Sequence, residues 1–117
     1  RDGQFEIEGL KTQRITTSYE RSPMNRRLAI EIHGVTCAVC SFNFGEKYGP
    51  IGDEVVEIHH LVPVHLMESE SVVDPRTDLI PLCSNCHTMV HRVDPPFSIE
   101  ELKDEIEKQA NRGPGKD

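Results

Sequence analysis

Glu57-Ile58-His59-His60-Leu61-Val62-Pro63, then Asp78-Leu79-Ile80-Pro81-Leu82-Cys83-Ser84-Asn85-Cys86-His87, and then His91: the reading of these stretches decides the fold of the 117-residue chain. In the first, the β-branched residues Val55, Val56 and Ile58 predict a strand from Val55 to Leu61 that carries Glu57, His59 and His60 toward its end. In the second, Leu79-Ile80-Pro81-Leu82 reads as a short strand. Asn85 to about Arg92 reads as a helix that sets His87 and His91 four residues apart on one face. Two imidazoles so placed can share one ion. Adjacent strand residues point to opposite faces, so His59 and His60 have different tasks. One joins His87 and His91 around a metal; the other faces the reacting group as a base, aided by an ordinary pKa near ~6.5.

The second stretch also contains Cys83-x-x-Cys86, and 42 residues separate it from an earlier Cys37-x-x-Cys40. Two such turns brought together give zinc its four tetrahedral thiolates at ~2.3 Å. Two disulfides are the alternative in a secreted chain, but the first residues carry no apolar run resembling a signal peptide. Redox chemistry at a C-x-x-C calls for a thioredoxin-like strand-to-helix unit, which is missing here. Structural zinc is therefore expected at Cys37, Cys40, Cys83 and Cys86. With 36% hydrophobic and only 5% aromatic residues, the chain is short of material for a large core. Metal binding then supplies a substantial part of the folding free energy.

Outward from these motifs, Ser22-Pro23 reads as an N-cap and first-turn proline. It opens a helix to about His33, with Leu28, Ala29 and Ile32 on the buried face, Arg26 and Arg27 projecting away, and Gly34 as the stop. Gly45, Gly49-Pro50 and Gly52 mark a passage with little regular structure, with Phe44 and Tyr48 packed over the zinc knuckle. Glu68, Ser71 and Asp74-Pro75 lie in a polar loop, as does His65; His33 is a helix-end residue favoured by the dipole. Glu57 reads as an exposed strand residue. Ser98-Ile99-Glu100-Glu101 is a capping box opening a last helix to about Ala110, a cover with Leu102 and Ile106 on one face. The organisation expected is an N-terminal arm and helix over 1–34 linking to something upstream, a core over 35–97, and a C-terminal helix with a frayed tail over 98–117.

Taken together, the two quoted stretches and His91 resemble the HNH endonuclease family with its ββα-metal (His-Me finger) fold, in its zinc-stabilised branch. The likeness covers about residues 35–93, and from Tyr19-Glu20-Arg21-Ser22 through Cys37 and Cys40 it is similar to restriction endonucleases of the McrA kind, which cut modified DNA. The fold class implied is α+β, with helices flanking the core. The resemblance implies a DNA phosphodiester hydrolase in which His60 is the general base that activates water. It also implies that His59, His87 and His91 bind one catalytic divalent ion (Mg²⁺, Mn²⁺, Ni²⁺, Co²⁺ or Zn²⁺). Asp78 stands where the family has its middle Asn, which holds the loop and orients the base; this is a departure from the name-giving pattern.

Composition pulls partly the other way. A formal net charge of −7 argues against a simple electrostatic binder of nucleic acid. The charge is uneven, however: residues 1–48 hold seven Lys/Arg against six Asp/Glu, whereas 49–92 hold two against seven. Arg14, Arg21, Arg26 and Arg27 are the phosphate contacts expected, and Arg92 reaches either a phosphate or a carboxylate such as Asp94. Cutting both strands at once calls for two sites, hence a homodimer. No stretch approaches the ~18 apolar residues of a membrane span, so a soluble, cytoplasmic bacterial or phage protein is expected. Two rivals stand beside the nuclease reading: a noncatalytic zinc-binding module for nucleic acid or protein, and a nonspecific toxin nuclease.

Overall fold

Helix α1 (Pro23–His33) begins where the sequence predicts. Ser22 accepts a hydrogen bond from the Asn25 N–H at 3.1 Å, and Gly34, at φ 82°, ends the helix by donating its N–H to the Ile30 carbonyl. The computed structural model describes residues 5–13, 21–62 and 72–112. Arg14, Tyr19, Glu20, Pro63, His65, Glu68, Ser71 and the Gly113-Pro114-Gly115 tail lie outside that range.

The buried face of α1 is not the one predicted. Ala29 is fully buried, but Leu28 and Ile32 are 36% and 48% exposed. Arg26, Ala29 and His33 share the inward face, at spacings of three and four. Instead of projecting away, Arg26 donates from Nη1 to the Val56 carbonyl at 3.1 Å. His33 bonds through Nε2 to the Pro75 carbonyl at 2.8 Å, so it is a tether rather than only a dipole partner. Polar hooks therefore dock this helix on either side of one small residue.

The sheet has two antiparallel strands, β1 (Glu57–His60) and β2 (Leu79–Leu82), with His59 opposite Ile80 and His60 opposite Leu79. β1 is shorter than predicted, since Val55 and Val56 precede its pairing. Two short helices occupy segments read as loops. Asn43 caps α2 (Phe44–Tyr48) through Glu46 N at 2.9 Å, and a 3-10 turn, Gly49–Gly52, follows. A Cβ on Gly52 would overlap the Phe44 carbonyl, so that close approach requires glycine. Asp74 caps the single turn α3 (Pro75–Asp78) immediately before β2.

Helix α4 (Ser84–Val90) is capped by the Cys83 sulfur, which accepts from Cys86 N at 3.4 Å. The predicted capping box opens α5 (Ile99–Arg112): Ser98 Oγ accepts from Glu101 N at 3.0 Å, and Ser98 N donates to the Glu101 carboxylate at 2.8 Å. The core joins Cys37, Cys83 and Cys86 to Leu82, Val90, Ile99 and Leu102, with Phe42, Phe44 and Phe97 against it. Tyr48 stays largely exposed, and so does Ile106, so α5 covers the domain only through its first turns. The result is a small α+β fold in which cysteines make up a large part of the interior.

The first knuckle contains one residue against its grain. Ser41 sits at φ 70°, in the left-handed region, with its N–H bonded to the Cys37 carbonyl at 3.0 Å. Ser41→Gly is expected to stabilise the zinc-loaded protein by about 1 kcal/mol, because glycine adopts this conformation without the Cβ clash. A rise in denaturant midpoint at unchanged m-value would be the sign of it.

Candidate metal centres and catalytic site

Each knuckle is fixed by backbone. Ala38 N donates to the Pro81 carbonyl at 2.9 Å, which ties the first C-x-x-C to β2, and the second C-x-x-C opens α4. The four cysteine sulfurs consequently lie within 4.8 Å of one another, and none is in a disulfide. A ZnS4 tetrahedron with ~2.3 Å arms has edges of about 3.8 Å; Cys40 and Cys83 sulfurs are 3.7 Å apart. Burial pushes the Cys37 thiol up, but backbone donors from Cys40, Cys83 and Val39 outweigh it and hold the pKa at about 7. Burial and the neighbouring cysteines push Cys86 up strongly. Four thiols so crowded cannot all ionise by themselves, and a divalent cation resolves the conflict.

Alternation along β1 sends its side chains to two faces. Glu57 and His59 face α4, where His59 meets His87 and His91; the three ring centroids form a nearly equilateral triangle, 5.2, 5.1 and 5.1 Å on a side. One ligand nitrogen from each ring lies within 4.8 Å of the others. His91 is the C-cap of α4 rather than part of its helical body, which ends at Val90, but it retains the four-residue spacing from His87. His59 is buried and His91 exposed, so the triad is sealed at its base and open at its rim. Buried His59 Nδ1 has no hydrogen-bond partner. An orphaned imidazole nitrogen among two others is the donor set that zinc, nickel, cobalt or manganese accepts.

Burial, then the neighbouring His87, His91 and His60, lower the His59 pKa to about 4. It is thus neutral and competent as a ligand at neutral pH. The unfolded chain takes up this proton near ~6.5, whereas the native state does not until about pH 4. Between those limits the unfolded state binds more protons, so stability falls as pH falls. With zinc on the cysteines and no ion at the histidines, wild type should lose stability relative to His59→Leu from pH 7.5 to 5.5. Parallel denaturation curves at both ends of that range would refute it.

The other face of β1 carries Ile58 and His60 into a groove lined by Arg21, Asn25 and Arg26 of the α1 end and by Leu79. Half-buried His60 holds its proton less tightly than usual, first through burial and then through Arg21, with Asp78 opposing and His87 adding. Asp78 serves its own turn. Its carboxylate accepts from Asp74 N at 2.8 Å and from the Thr77 hydroxyl at 3.2 Å, while its carbonyl accepts from Leu61 N at 2.9 Å. It thereby pins the backbone directly after His60. Arg27 and Arg92 are exposed.

Glu57 is the exposed strand residue the sequence predicts, but it also has a partner. Its carboxylate meets His87 Nδ1 at 2.5 Å, and this bond, with a smaller influence of nearby Ser84, holds the carboxyl below its usual range. Period-two alternation already put Glu57 on the face of His59; that was the available signal.

No helix among the described residues is long and apolar enough to cross a membrane. No curated protein matches the chain. The family model of the HNH endonuclease matches residues 37–92, a span that begins at Cys37, the first of the four clustered cysteines, and ends one residue past His91. Residues 37–92 of this chain are therefore an HNH endonuclease domain.

Proposed function

We propose that the protein is a metal-dependent endonuclease that hydrolyses DNA phosphodiesters, with His60 as general base and His59, His87 and His91 holding one divalent ion. The observation that carries this reading is the division of two adjacent histidines between a three-imidazole cluster and an arginine-lined groove. In the reaction, water oxygen attacks phosphorus, its proton passes to His60, and the bond from phosphorus to the 3′ oxygen breaks, that oxygen taking a proton from solvent to give a 3′ hydroxyl and a 5′ phosphate. His59, His87 and His91 would hold the divalent ion, which when bound would supply positive charge to offset the negative charge developing on the phosphate and the departing 3′ oxygen. His60 can accept the proton because burial and Arg21 keep it neutral at neutral pH. The Asp78 carbonyl holds the chain beside it, while the Asp78 carboxylate holds the turn before β2.

Arg21, at the groove, is the first phosphate contact in this reading, with Arg27 and Arg92 as exposed candidates; Arg26 is partly engaged by Val56. Residues 35–97 would form the catalytic core, flanked by α1 and α5. The biological setting proposed, on resemblance, is restriction of modified DNA by enzymes of the McrA kind. Supercoiled plasmid, both unmodified and cytosine-methylated, incubated with Mn²⁺, Ni²⁺ or Mg²⁺ tests the reading. Nicked and linear products with 5′-phosphate ends are expected from at least one substrate. If both plasmids survive under every ion, the noncatalytic zinc-binding module takes its place.

A further inference from the structure

We propose that Glu57 is a positioning residue for the three-histidine centre: it holds the Nδ1–H of His87, so that Nε2 of that ring is the nitrogen turned toward His59 and His91. The inference rests on the reading that these histidines hold an ion. Geometry supports it from both sides of the contact. Glu57 and His59 lie two residues apart on one face of β1, and α4 crosses that face with His87, whose Nδ1 is 2.5 Å from a Glu57 oxygen. An imidazole offers a metal only one nitrogen, so a carboxylate that claims Nδ1–H selects the tautomer, sets the ring plane and makes the remaining nitrogen a better donor.

Ser84 lies near Glu57 and favours its charged form. Ser84 lies between Cys83 and Cys86. The carboxylate proposed to orient a ligand of one centre therefore lies beside a residue of the second C-x-x-C turn. The sequence arranges this economically: Cys83, Ser84, Cys86, His87 and His91 all sit on or at the ends of α4.

The test uses the zinc-loaded full chain as wild type, Glu57→Gln and Glu57→Ala, with zinc content and far-UV circular dichroism as folding controls. Ni²⁺ is titrated calorimetrically into the three-histidine centre, and long-range ¹H–¹⁵N spectra of the nickel-free proteins report the His87 tautomer. Glu57→Ala should weaken Ni²⁺ binding about 10- to 100-fold and abolish the preference for Nδ1–H. Glu57→Gln, whose amide oxygen can still accept from Nδ1–H, should recover most of the loss and the tautomer, which a merely structural role would not require. Equal nickel affinity in wild type and Glu57→Ala overturns the proposal. If wild type takes up no Ni²⁺, the three-histidine reading fails. The spectra then decide the positioning role alone: a His87 tautomer unchanged in Glu57→Ala overturns it as well.

Discussion

Cys83→Ser is expected to unfold the protein at neutral pH, and the same outcome is expected when wild type is stripped by a strong chelator. The serine variant isolates the metal contribution. Cys83 is the N-cap of α4 and one of the four clustered cysteines read as holding zinc, and serine is among the preferred caps, so the substitution keeps the cap and removes the thiolate. What remains, among the described residues, is a core in which three of the ten buried hydrophobic positions are cysteines and only Leu79, Leu82 and Val90 are large and fully buried. Structural zinc in small domains contributes an apparent ~10–16 kcal/mol, as much as the entire stability of an ordinary domain, about 5–15 kcal/mol. Far-UV circular dichroism should show loss of helix, reversed by Zn²⁺ in wild type but not in Cys83→Ser. Because α4 leads from Cys83 through Cys86 to His87 and His91, the three-histidine centre should lose its metal affinity in the same transition.

His60→Ala is expected to lower the single-turnover rate of plasmid cleavage about 10²- to 10⁴-fold, the usual contribution of a general base. Metal affinity at the triad should stay within a few-fold of wild type, because His60 faces the groove rather than the triad. In wild type the rate should follow the neutral form of His60. With the proton affinity of this group lowered by burial and Arg21, the base remains available at pH 6.5 and is lost only as pH falls further. A rate that already halves above pH 6.5 would contradict the assignment. A variant that cleaves like wild type would remove His60 from the mechanism altogether.

Local signals carried most of what was legible in the sequence. Ser22-Pro23, Gly34 and the Ser98/Glu101 box mark helix ends because caps are made within four residues, and the C-x-x-C pairs and the His87/His91 spacing declare their ligands for the same reason. The features that escaped depend on partners far along the chain. Arg26 and Glu57 each find theirs 30 residues away, at Val56 and His87. The Leu28/Ala29/Ile32 stripe failed because α1 is docked through Arg26 and His33 and buries only its smallest apolar residue deeply. Asn43 and Asp74 were visible as capping types, but the glycine and proline around them read as loop, and the one-turn helices they start are too short for any periodicity to appear.

If catalysis depends on an ion at the three-histidine centre, occupancy and cleavage measured on one sample will change together. Mn²⁺ or Ni²⁺ is titrated into zinc-loaded wild type and His87→Ala while binding and plasmid nicking are followed together. Nicking by wild type is expected to rise in step with filling of the second centre, and His87→Ala, still folded and still holding zinc on its cysteines, is expected neither to bind the second ion nor to cut. Undiminished nicking by His87→Ala, or none from wild type with the second centre full, would contradict it.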